Sequence, residues 1–176
     1  MKNKICGKVL VVGDNIDTDL IVPGRFLELT DQREIGRHCL AGLNEEIAPN
    51  FPAGGIIVAG RNFGCGSSRE HAAIALVNMG VGAVLADSFA RIFFRNGINL
   101  GLPLIICKGL CHIAENGQTL SVDFSAGTVT IQETGVVIRM ESLGTKAIEI
   151  LSAGGIKPLM RQRYGAAPVC QETISC

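Results

Sequence analysis

Gly60-Arg61-Asn62-Phe63-Gly64-Cys65-Gly66-Ser67-Ser68-Arg69-Glu70-His71-Ala72 is the stretch whose reading decides the fold. It follows a short apolar run bounded by glycines, which reads as a buried strand at 54–60. The residues after it have helical apolar spacing, which predicts a helix over 68–79. Between strand and helix, the loop has the makings of an anion cradle. A helix N-terminus offers free backbone N–H groups and partial positive charge. Gly64 and Gly66 allow the sharp turns that bring backbone close to a ligand. Ser67 and Ser68 add hydroxyls, and Arg69 adds a planar fork matched to a carboxylate. Taken alone, a serine pair before a helix is most simply a cap. The loop lacks the lysine of a nucleotide phosphate loop and the serine elbow of a hydrolase. His71 lies one turn into the helix, so a structural role is expected for it rather than that of a base to Ser67.

Outward from this loop, strands and helices alternate. An apolar run at 6–12 ends in Gly13-Asp14-Asn15 and reads as a strand entering a turn. Asp31 and Glu34 resemble a capping box for a helix at 31–41. Strands are predicted at 81–86 and 104–107, with a helix capped by Ser88 between them and running to 96. Leu120, Val122 and Phe124, then Val129 and Ile131, alternate with polar residues and predict antiparallel strands. A closing helix at 144–153 ends at Gly154-Gly155. The chain from Arg161 onward reads as frayed, giving one domain at 1–163 and a flexible tail at 164–176.

Composition excludes several classes. The 176 residues are 47% hydrophobic, with 16 basic and 16 acidic side chains, so neither nucleic acid nor an anionic membrane is an expected partner. The N-terminal apolar run is too short for a secretory signal, and the expected location is cytoplasmic. Seven cysteines at scattered spacings fit reduced thiols better than a disulfide framework. Cys107, Cys111 and His112 suggest a metal site only weakly, since no fourth ligand is evident, and no metal ligands are assigned to this chain.

Three motifs fall in an order that resembles the swivel domain of the aconitase superfamily. They are the loop quoted above, Asp17-Thr18-Asp19 within 13–21, and Ser88-Phe89-Ala90-Arg91-Ile92 within 87–96. By length the chain is similar to the stand-alone small subunit of the 3-isopropylmalate dehydratase and homoaconitase branch. The resemblance implies an α/β fold, a single swivel domain in β/β/α layers with a mixed sheet and antiparallel C-terminal strands. It implies reversible dehydration of a hydroxy-dicarboxylate. The catalytic base falls on Ser67; Ser68 and Arg69, with the Gly66 backbone beside them, match positions that bind substrate carboxylates. Asp19 matches an acid at the rim that orients a catalytic group, while Asp17 is expected to form the turn. Arg91 and Arg95 are expected to anchor the loop or a partner rather than touch substrate. The family's 4Fe-4S cluster has no ligand set here, so it is expected on a larger partner subunit, in a heterodimer or heterotetramer, with none bound by this chain alone.

One segment departs from the family pattern. After the aspartate motif, isopropylmalate members often read Tyr-Leu-Arg-Thr, whereas this chain reads Phe26-Leu27-Glu28-Leu29-Thr30. Glu28 thus occupies a substrate-facing position with inverted charge, and a third substrate carboxylate would be repelled unless Arg25 or Arg33 pairs with it. 3-Isopropylmalate leads as the expected substrate. 2,3-Dimethylmalate, citraconate or homoaconitate types compete with it, as does a non-catalytic binding module on the same fold. A lone serine hydrolase has no readable triad.

Overall fold

Short runs of β-branched and small apolar residues build the sheet, and their burial dictates how it is covered. The computed structural model describes residues 3–67 and 69–165, so Ser68 and the predicted tail from 166 lie outside the described residues. Strands β1 (Lys4–Val11), β2 (Ile56–Ala59), β3 (Ala83–Ala86) and β4 (Leu104–Ile106) pair in parallel. Strands β5 (Thr119–Asp123), β6 (Thr128–Ile131) and β7 (Val137–Arg139) continue antiparallel from β1. The seven-stranded order is β4-β3-β2-β1-β5-β6-β7.

Every residue of β2 and β3 is buried, as strands covered on both faces require. Ile57, Ala59, Val84, Ala86 and Leu104 enter one core, with the helices. Their alternating neighbours Ile56, Val58, Ala83, Leu85 and Ile105 enter a second core with Leu120, Val122, Val129 and Ile131. The last four come from β5 and β6, which hydrogen-bond to β1 and to each other rather than to β2–β4. The sheet therefore curls so that its antiparallel half lies over its parallel half. Helices α4 (Glu70–Met79) and α5 (Arg91–Asn99) cover the other face, which completes the β/β/α layering. Ala72, Ala73, Ala75 and Leu76 are the buried side chains of α4, and three alanines let the helix sit close to the sheet.

The remaining elements are short or peripheral. They are α1 (Thr18–Ile21), α2 (Gln32–Arg37), α3 (Ile47–Asn50), α6 (Thr145–Ser152) and α7 (Ile156–Tyr164). Three sequence expectations change. Asp31 does cap α2, accepting from the Arg33 N–H at 2.8 Å, but the helix stops at Arg37 instead of 41. Beyond it the Leu40 and Gly42 N–H groups donate to the carbonyls of Ile21 and Leu20, so α1 takes hydrogen bonds that a longer helix would keep. Ser88 does not cap α5; Ala90 does, and the Ser88 hydroxyl accepts from the Asn62 N–H at 2.9 Å. The chain expected to fray from Arg161 is helical through Tyr164, because Leu159 packs into the fold and the first turn of α7 restarts just after Gly155. Among the described residues no helix is long and apolar enough to cross a membrane.

Cys107 and Cys39 are buried in the two cores. Burial, with the Asp87 charge nearby, pushes the Cys107 thiol up from 9.0 to about 11, and burial pushes Cys39 further in the same direction. A raised thiol favours the neutral form in the fold, so this stability is whole below about pH 9 and is lost as pH rises through about 11. The urea midpoint is expected to fall across that window, and Cys107→Ala should flatten the fall.

Candidate active site

The carboxyl ends of β1, β2 and β3 release three loops, and hydrogen bonds knit them side by side. Loop 60–67 lies in the middle. On one side the Asn15 N–H donates to Arg61 O at 2.8 Å, the Gly64 N–H to Ile16 O at 2.7 Å and the Thr18 N–H to Cys65 O at 2.8 Å. On the other, the Asp87 N–H donates to Gly60 O at 3.1 Å, the Phe63 N–H to Ser88 O at 3.0 Å and the Ala90 N–H to Phe63 O at 2.9 Å. Two isolated bridges, Asp17 with Cys65 and Phe63 with Phe89, extend the parallel sheet into the loops. In open α/β sheets, ligands bind in the crevice outside the carboxyl ends of the strands.

Side chains lock this frame. Phe63 is fully buried and meets Phe93 and Phe89 edge-on, with ring centroids 5.3 and 6.1 Å apart. Gly64 has φ +76°, and an added Cβ would stand 2.1 Å from the Phe93 ring, so neither conformation nor space admits a side chain. Thr18 is the buried polar side chain among the described residues, and its hydroxyl donates to Ser67 O at 3.2 Å. The Arg69 N–H donates to the same carbonyl at 2.7 Å. The Ser67 main chain is thereby held while the residue itself stays exposed.

A cleft of about 270 Å³ opens here, lined by Ser67, Gly66, Arg69 and Thr18 on one side and by Ala90, Arg91, Ile92, Phe93 and Asn96 on the other. The N-termini of α4 and α5 both reach it, and among the described residues neither helix has a side-chain cap. Their unspent N–H groups and dipoles favour an anion between them. Arg69, 23% exposed, forms an ion pair with Asp19 at the rim. Asp17 instead caps α1, accepting from the Leu20 N–H at 2.7 Å, the turn-forming role expected for it. The Arg61 N–H donates to Asp14 at 2.7 Å and its guanidinium lies nearby, which together hold the Asp14 carboxyl below the usual carboxylate range.

The structure thus brings Ser67, Gly66, Arg69 and Asp19 together. Glu28 is not among them: it is exposed in the segment after the turn Gly24–Phe26 and does not line the cleft. Arg25 pairs with Glu45 at 2.6 Å rather than with Glu28. Arg91, Thr18 and Asn96 were not expected at the cleft. Arg91 was legible in the sequence as part of the motif at 87–96, but it was expected there to anchor the loop or a partner rather than to line the cleft. Cys107 is buried, the Cys111 thiol points at Val12 O at 3.6 Å and His112 is exposed. Among the described residues no three His, Cys, Asp or Glu side chains group to hold a metal ion.

Comparison with known proteins gives a single direction. Residues 51–108 match the Aconitase C-terminal domain family. The chain is 45% identical over 162 residues to the 3-isopropylmalate dehydratase small subunit 1 of Methanopyrus kandleri, covering 92% of this chain and 95% of that one. It is 42% identical over 153 residues to the 2,3-dimethylmalate dehydratase small subunit of Eubacterium barkeri, covering 87% and 94%. The crystal structure of 3-isopropylmalate dehydratase from Methanocaldococcus jannaschii superimposes with a TM-score of 0.87 at 41% identity, covering 91% of this chain and 95% of that one.

Replacing Phe63 by Ala should cost about 3–5 kcal/mol in urea unfolding, by emptying the space between two loops. Gly64→Ala should also destabilise in urea unfolding, because it forces both a strained conformation and a clash with the buried Phe93 ring.

Proposed function

Because the chain belongs to the aconitase family as the small subunit of a hydro-lyase, we propose that it serves the reversible dehydration of 3-isopropylmalate, with Ser67 as the base. The observation that carries this is Ser67, exposed in a cleft shared by Arg69 and two uncapped helix N-termini. A free serine hydroxyl does not ionise near neutral pH, so it acts as a base only where N–H donors and cation charge stabilise its alkoxide. The first turn of α4 and Arg69 supply that setting. The alkoxide takes a proton from carbon, the double bond forms, and hydroxide leaves from the adjacent carbon, to be protonated to water by an acid outside this chain. Addition of water in the opposite regiochemistry completes an isomerisation.

Arg69 binds one substrate carboxylate, and Asp19 occupies that guanidinium until substrate arrives. Ser68, by its position in the motif, contributes a second hydroxyl to the same carboxylate. Relatives named small subunits support a large-subunit partner, and family membership supports a 4Fe-4S cluster on that partner. The cluster chemistry then lies outside this chain, whose thiols are scattered and in part buried. A role in leucine biosynthesis follows from that substrate.

The second reading, 2,3-dimethylmalate, is favoured by one observation: Glu28 stands where isopropylmalate members often carry arginine. The 45% and 42% identities to relatives of the two kinds do not separate them. A non-catalytic module is disfavoured by the exposed serine and arginine lining one cleft.

The test is co-purification with the large subunit and an assay of hydration of isopropylmaleate, dimethylmaleate, citraconate and homoaconitate. Turnover of isopropylmaleate is expected, only with both chains present. Turnover of dimethylmaleate without isopropylmaleate would reject the substrate, and activity of this chain alone would reject the two-subunit reading. Ser67→Ala should lower kcat by roughly 10²–10⁴-fold while leaving assembly intact.

A further inference from the structure

A hydroxy-dicarboxylate brings two carboxylates, and the residues singled out in the sequence answer only one. Arg69 takes the first. Residue 28, read in the sequence as a substrate-facing position, carries an acid and lies outside the cleft, so it offers the second no partner.

Arg91 lines the cleft opposite Ser67 and Arg69. It is the first residue of α5, exposed, and among the described residues it makes no ion pair. Arg69 differs in this respect, since Asp19 already neutralises it. The cleft guanidinium left without an acidic partner among the described residues is therefore that of Arg91. Two features of its setting suit a branched dicarboxylate. The first-turn N–H groups of α5 have no side-chain cap, so negative charge beside Arg91 is favoured by the backbone as well. Ala90, Ile92 and Phe93 surround it with apolar surface, and Ile92 is 46% exposed, against which a short alkyl branch can pack.

Resting on the hydro-lyase reading above, we propose that Arg91 binds the second substrate carboxylate, the one Arg69 does not reach. Arg95, one turn further along α5 and also exposed, does not line the cleft and serves as the control.

The experiment uses the complex of this chain with its large subunit, as wild type, Arg91→Gln, Arg91→Lys and Arg95→Gln. Calorimetry with succinate and with butyrate reads binding without requiring turnover, and steady-state kinetics and sedimentation accompany it. Loss of one charge-assisted contact corresponds to roughly a ten- to hundredfold change in affinity. Arg91→Gln is expected to weaken succinate by that factor and raise KM similarly, with butyrate affinity and sedimentation unchanged. Arg91→Lys should recover part of the loss, and Arg95→Gln should match wild type. Equal weakening of succinate and butyrate, or unchanged succinate binding with a dissociating complex, would assign Arg91 to the subunit interface and overturn the proposal. Failure of the wild-type complex to turn over any hydroxy-dicarboxylate would sink the substrate reading alone, since the succinate titration still decides the role of Arg91.

Discussion

Loop 60–67 is hydrogen-bonded on both flanks, and everything functional in this chain depends on that clamp. The segments at 13–18 and 87–90 each contribute backbone partners to it, so the loop behaves as a further length of sheet that has run out of regular strand. A loop free on one side would sample many conformations, and a serine carried on it would meet substrate in few of them. Here the main chain before the serine is fixed by Gly64 against Phe93, and the serine carbonyl is fixed by the Thr18 hydroxyl and the Arg69 N–H. The hydroxyl is what the frame leaves uncommitted among the described residues. A frame fixed in this way needs no reordering when charge develops beside it.

Charge is handled locally. The chain as a whole is neutral, yet two arginines and two helix N-termini meet at one cleft. Only one acid, Asp19, stands among them as a partner for Arg69. A pair of this kind, partly exposed, contributes little to stability. Its sense lies in keeping a guanidinium oriented while the cleft is empty.

Much of this was legible in the sequence, and the failures have physical causes. The glycine-rich loop between buried strand and helix could be read because glycine, serine and arginine in that order have few other uses. The antiparallel half could be read from alternation at 120–124 and 129–131. Ser88 was misread because a hydroxyl can accept from its own helix or from a neighbouring loop, and only the tertiary fold brought the Asn62 N–H to it. The second helix was overextended because its apolar spacing says nothing of the Ile21 and Leu20 carbonyls that intercept its last turns. Strand β7 was missed because just three residues pair, with Val136 and Val137 exposed instead of alternating. Arg91 was assigned to anchoring the loop or a partner because nothing local reveals that two helices start at the same place.

Both ends of the seven-stranded sheet, β4 and β7, are strands of three residues. At β4 the Glu141 N–H donates to Ile106 O at 2.8 Å, which spends part of that edge within the chain. Few unpaired backbone groups then remain to template a second copy. A protein made to work only once it has met another gene product must wait in a crowded solution without sticking to its own kind. Blunt sheet margins give this one the means to wait.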